Sequence, residues 1–95
     1  MAKLRTTKWD ASEYLKSEED IAHYIAAAFE DGNPDLIALA IGNVAKARGM
    51  TEIARKAGVS RENLYRSFKK GGDPRLTTLL GVMHSLGVKL TAVPL

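Results

Sequence analysis

The stretch that decides the fold is TEIARKAGVSRENLYRSFKK, residues 51–70. It reads as a helix of about two turns, a glycine-containing turn at Gly58-Val59-Ser60 and a second helix, which is the helix-turn-helix arrangement. Each slot is filled by a suitable residue. Ile53 and Ala57 face inward from the first helix, and Ala54 is small where the two helices cross. Gly58 stands where the chain reverses, a place for positive φ that glycine takes cheaply. Val59 plugs the turn, Ser60 caps the second helix, and Leu64 anchors that helix in the core with Phe68 one turn on. One slot departs: Ser67 stands where a second branched apolar anchor is usual, and Phe68 beside it is expected to supply that packing.

With Val59, Leu64 and Phe68 inward, the second helix is left showing Ser60, Arg61, Glu62, Tyr65 and Arg66, then Lys69 and Lys70. A recognition helix in the major groove reads base edges with its N-terminal residues. Arginine bonds guanine in bidentate fashion and a carboxylate accepts from the cytosine amine. Arg61, Glu62 and Arg66 are therefore base-reading candidates, with Ser60, Asn63 and Tyr65 beside them, although Asn63 has the alternative of a local bond near the cap. Thr51, Arg55, Lys56, Lys69, Lys70 and Arg75 ring the same face as phosphate contacts, which position without specifying. The competing reading is an αα-hairpin that packs and binds nothing.

Outward from this window the chain is clearly punctuated. Ser17 caps EEDIAHYIAAAFEDG, with Asp20 three residues on to answer it and an acidic first turn that suits the helix dipole. Ile21, Tyr24, Ile25, Ala28 and Phe29 form a helical stripe that stops at Gly32. Asn33-Pro34 opens a second helix with the stripe Leu36, Ile37, Ala40, Ile41, Val44 and Ala47. Met50-Thr51 opens the third helix, and the fourth runs from Arg61 to about Lys70, ended by Gly71-Gly72. Asp73-Pro74 repeats the cap-then-proline signal for a fifth helix with the stripe Leu76, Leu79, Leu80, Met83 and Leu86. Val88 to Ala92 then alternates and predicts a short strand, paired with Leu4–Trp9 or with its mate in another subunit. The expected architecture is all-α: a five-helix bundle containing a lambda-repressor-like helix-turn-helix, with one short C-terminal β-strand. Residues 1–16 are expected as an extended arm and 17–95 as one domain.

The chain has 95 residues, 45% hydrophobic and 26% charged, which fits one small globular domain. It has no cysteine, which removes disulfides, thiolate nucleophiles and thiolate zinc sites. His23 and His84 stand far apart, so neither a metal nor another cofactor is expected. Ser60, His84 and Asp73 do not make a triad by any spacing, and Gly71-Gly72-Asp73 lacks the Lys-Ser/Thr of a phosphate loop; an enzyme is not expected. The opening MAKLRTTKWD has basic residues with no apolar run behind them, and no stretch approaches a membrane span, so the expectation is a cytoplasmic protein without membrane contact.

The net charge of +3 conceals an asymmetry. Residues 1–45 carry four Lys/Arg against eight Asp/Glu, and residues 46–95 carry ten against three. The basic half suits a polyanion and the acidic half a basic partner or self-association.

The chain also resembles the small antidote proteins of bacterial type II addiction modules, a branch of the Xre/HigA-like helix-turn-helix antitoxins. The resemblance covers nearly the whole length. Its hallmarks are Asp10, Glu13, Tyr14 and Leu15 in D-x-x-E-Y-L, then GNPDLIALAIGNVAKARGMTEIARKAGVSRENLYRSF, and later GGDPRLTTLLGVMHSLGVKL. It implies binding and neutralisation of a RelE/ParE-like toxin and repression of the protein's own operon through double-stranded operator DNA. Ser60, Arg61, Glu62, Asn63, Tyr65 and Arg66 fall on the recognition helix by position. The acidic opening segment offers a toxin contact through Glu18, Glu19 and Asp20, with Trp9, Tyr14 and Tyr24 as aromatic anchors; the equal alternative makes Trp9 and Tyr24 core residues. A homodimer is expected, because one short helix reads too few base pairs. The alternative function is a stand-alone Xre-type repressor, for instance prophage-derived, without a toxin.

Overall fold

The computed structural model describes residues 15–95, which form five helices in chain order: α1 Glu18–Asp31, α2 Pro34–Arg48, α3 Met50–Ala57, α4 Arg61–Ser67 and α5 Leu76–Ser85. Three of the four expected capping residues act where the sequence puts them; the fourth, Asp73, does not, since α5 is preceded by Arg75 without a side-chain cap. Ser17 accepts from the Asp20 amide, Asn33 from the Asp35 amide and Ser60 from the Asn63 amide. Asp20 reaches back one residue further than expected, its carboxylate accepting from the Lys16 amide at 3.3 Å.

α2 is packed by α1, α3 and α4, and α3 by α2, α4 and α5. That position explains why α2 buries Ala38, Ala40, Ile41, Gly42, Val44 and Ala45 rather than one narrow stripe. Together with Leu15, Ile21, Ile25, Met50, Ile53, Ala54, Leu64, Phe68, Val82, Met83 and Leu86 these helices enclose one continuous core. Leu15, the last residue of the D-x-x-E-Y-L hallmark, is part of it.

The expected C-terminal β-strand is absent: no strand occurs among the described residues. Gly87, in the left-handed region at φ +82°, ends α5, and the Val88 amide donates back to the Met83 carbonyl. The segment beyond turns Val88 and Leu90 onto the core and Lys89 and Thr91 outward. Its alternation records one-sided burial, not ladder pairing, and no described strand lies beside it. The proposed mate Leu4–Trp9 lies outside the described residues.

Two helix readings also change. α4 ends at Ser67 instead of about Lys70, because Phe68 leaves the helix to bury its ring. α5 starts at Leu76, not at Pro74, and turns a different side inward from the expected stripe. Thr78, Val82, Met83 and Leu86 are buried and Leu79 half-buried, whereas Leu76 and Leu80 face outward. Gly81 lies at the contact with α3 that goes with this orientation. A Cβ there would sit 3.3 Å from the Ala57 carbonyl oxygen, so the bare face of Gly81 is the one that lies against α3. Leu36, expected inward on α2, is likewise exposed.

Candidate nucleic-acid interface

The α3-turn-α4 unit is built as its residues require. Gly58 has φ +75°, its amide donates to the Arg55 carbonyl, and the Val59 amide donates to the Ala54 carbonyl. This closure stops α3 and delivers Ser60 as the N-cap of α4. Ile53, Ala54, Leu64 and Phe68 are buried, and Ala57 and Val59 pack at the edge of the core. Phe68 does take over the anchoring that Ser67 cannot supply. Ser67 is half-buried and donates to the Asn63 side-chain oxygen at 3.1 Å.

Gly42 is what lets α4 dock. A Cβ on it would lie 2.1 Å from the Phe68 carbonyl oxygen, so only glycine permits this approach of α2 to the end of α4. Asp35, at the start of α2, holds the following turn by accepting from the Gly71 amide at 2.9 Å. Neither residue had been singled out in the sequence. A glycine inside an otherwise apolar helix was the available signal for Gly42, and Asp35 carried none.

The outer surface of α4 presents Ser60, Arg61, Glu62, Tyr65 and Arg66, all exposed. Asn63 is half-buried, and its side-chain oxygen accepts from the Ser67 hydroxyl, a local bond at the far end of α4 and not the expected one to backbone near the cap. Tyr65 organises its neighbours. The Arg61 guanidinium lies 5.2 Å from its ring centroid and donates to its hydroxyl at 3.4 Å, and the Lys46 ammonium lies 5.9 Å from the same ring. Lys46 comes from α2 and joins this face only through packing. It is a further cation there that the sequence reading missed.

Arg66, Lys69 and Arg75 line one polar concavity of about 360 Å³ together with Asn63, Ser67, Gly71, Gly72, Asp73 and Thr78. Thr78 is only 8% exposed, and the first turn of α5 has neither a side-chain cap nor an acidic residue. Lys70 is exposed beside this concavity in sequence. On α3, Thr51 is exposed, while Arg55 and Lys56 both turn to Glu52. Arg55 chelates its carboxylate through Nε and Nη2, and Lys56 Nζ stands 3.9 Å away. The Arg55 hydrogen bonds hold the Glu52 carboxyl below the usual carboxylate range, and the same contact raises Arg55.

Four of the residues expected to meet a protein partner, Glu18, Glu19, Asp20 and Tyr24, lie on α1. Glu18, Glu19 and Asp20 are exposed, with Glu18 paired to Arg48 at 3.7 Å. Tyr24 is half-buried against the core, and its hydroxyl accepts from Asn43 at 3.4 Å. Trp9 and Tyr14 lie outside the described residues.

Residues 5–94 match the family model described as "Probable addiction module antidote protein". The chain belongs to this family of addiction-module antidotes. A protein of Haemophilus influenzae described as uncharacterized is 41% identical over 81 residues, covering 85% of this chain and 84% of that protein. No solved structure matches the chain. Membership carries an antidote role, and with it a toxin as partner in general; an antidote family is in general non-enzymatic. No helix among the described residues is long and apolar enough to cross a membrane.

Proposed function

We propose that this antidote is a type II antitoxin of the Xre/HigA-like class with two activities. It neutralises a RelE/ParE-like toxin by direct binding, and it represses its own operon by binding operator DNA through α3 and α4 as a helix-turn-helix. The observation that carries the DNA reading is the outer face of α4. Its exposed N-terminal turn offers Arg61 and Glu62 and its last turn Arg66, with Arg61 held against Tyr65, and the rim adds Lys46, Lys69 and Arg75. Charge-bearing side chains at the start of such a helix are placed for base edges, and the surrounding cations for phosphates. Lys70 and Thr51 belong to that phosphate set, and so do Arg55 and Lys56 once they exchange Glu52 for phosphate oxygens.

A homodimer is part of the proposal, because a helix of seven residues spans too few base pairs for specificity. That role puts the protein's work in the bacterial cytoplasm, where its operon lies. The testing experiment measures binding of the full chain to its own promoter DNA by fluorescence anisotropy, with scrambled DNA as the reference. Arg61→Ala and Arg66→Ala are each expected to lose about 1–3 kcal/mol on the promoter and to relax specificity at the contacted position. Equal affinity of wild type for promoter and scrambled DNA overturns the reading.

A further inference from the structure

α1 and the C-terminal segment enclose an apolar groove of about 440 Å³ that the α3–α4 surface does not use. Ile25 and Met83 make its floor, both buried in the core. One wall is the outer side of α1, where Ala22, Ala26 and Phe29 recur one turn apart, and the other includes Leu90 and Val93. Phe29 and Val93 are 36% and 79% exposed, so the apolar walls reach the surface.

The rim is acidic. Glu19 stands one turn before Ala22 and Glu30 one turn after Ala26, on the solvent shoulder of that wall; both are exposed and neither forms an ion pair among the described residues. α1 as a whole carries five carboxylates and no lysine or arginine. Lys89 on the opposite wall is the groove's one cation among its lining residues.

We propose that this groove is the seat of the toxin, which enters it with apolar side chains set among lysines and arginines. The proposal rests on the antitoxin reading above and adds the surface. Charge selects the occupant. A second copy docking here would bring two acidic α1 helices together, and like charges across an interface cost affinity, whereas a basic segment pairs with Glu19 and Glu30 as its apolar side chains fill the groove. Nucleic acid is repelled by the same rim. No residue lining this groove lines the concavity beside α4, so one antidote molecule can hold toxin and DNA together.

The test uses the full chain and the small protein encoded beside its gene, which the antitoxin reading makes the toxin. Ala26→Arg places a bulky cation in the groove from an exposed helix position. It is expected to weaken toxin binding by about 30-fold or more, with promoter binding unchanged. Glu19→Lys with Glu30→Lys is expected to slow association and to lessen its dependence on salt. In hydrogen exchange of the wild type, toxin is expected to protect residues 22–30 and 88–93. Toxin affinity of Ala26→Arg equal to wild type, with no added protection of those residues, overturns the groove while leaving the antitoxin reading standing. Loss of self-association in Ala26→Arg with toxin affinity intact assigns the groove to a second copy and also overturns it. Failure of the wild type to bind the neighbouring protein at all overturns the antitoxin reading and the groove with it.

Discussion

α1 and the α3–α4 unit rest on the same core yet present opposite chemistry to water. α1 is fourteen residues long, acidic, and exposes alanines and a phenylalanine along its outer side. α3 and α4 are eight and seven residues long, and their outer face is dominated by arginine and lysine around one tyrosine. Segregating charge by element lets one small core carry a surface suited to a polyanion and another suited to a basic protein. Interleaving the two signs along each helix would have given a solvated face and neither surface. The comparison also separates modes of construction. The α4 face is fixed by a glycine turn, a cap and the close approach at Gly42, whereas the α1 groove depends on where the chain goes after Gly87.

Gly42→Ala is the sharpest way to break the comparison. Its methyl collides with the Phe68 carbonyl, so we expect a loss of about 1–3 kcal/mol in urea unfolding and weakened promoter binding, with toxin binding retained in the folded fraction. Next come the two serine caps. Ser60→Ala and Ser17→Ala should each cost about 1 kcal/mol of stability, but only Ser60→Ala should also weaken DNA binding, because only that cap orients the reading helix. A smaller effect sharpens the basic side: Lys69→Ala or Lys70→Ala should weaken binding to all DNA sequences alike and reduce the salt slope by about 1 each.

The smallest effect concerns Glu52. Its folded-state carboxyl lies below the usual range because of Arg55, so its contribution to stability is present above the unfolded value and is lost as pH falls through the lowered one. All three side chains of this cluster are well exposed, which makes that contribution slight. Glu52→Gln should lower the urea midpoint near neutral pH only slightly and remove the equally slight acid-side decline owed to this group. Titrated with promoter DNA, the same variant should bind more tightly with a steeper salt slope, as Arg55 and Lys56 are released.

Much of the local construction of the candidate interface is legible in the sequence. Gly58 and Ser60 have roles set within a few residues of themselves, and local hydrogen bonding enforces them, while helical spacing marks Leu64 and Phe68 as inward. Lys46 escaped because its place over Tyr65 depends on how α2 crosses α4. Asp35 escaped because its partner, the Gly71 amide, is 36 residues away in the chain. The apolar groove escaped for the same reason, since the exposed side of α1 reads as surface until the C-terminal segment is laid beside it.

The residue order alone was enough to establish five helices, the caps Ser17, Asn33 and Ser60, the glycine stops Gly32 and Gly58, the α3-turn-α4 unit and the opposed charges of the two halves. These follow from capping, backbone freedom at glycine and side-chain periodicity, all of which act over a turn or two. Assembly settled the rest: the rotation of α5 that exposes Leu76 and Leu80, the early end of α4, and the tail that forms no strand among the described residues. Periodicity says that a segment has an apolar side. Which side is buried, and whether an alternating segment finds a hydrogen-bonding mate, depends on neighbours such as Ala57 against Gly81 that only the packed chain brings together.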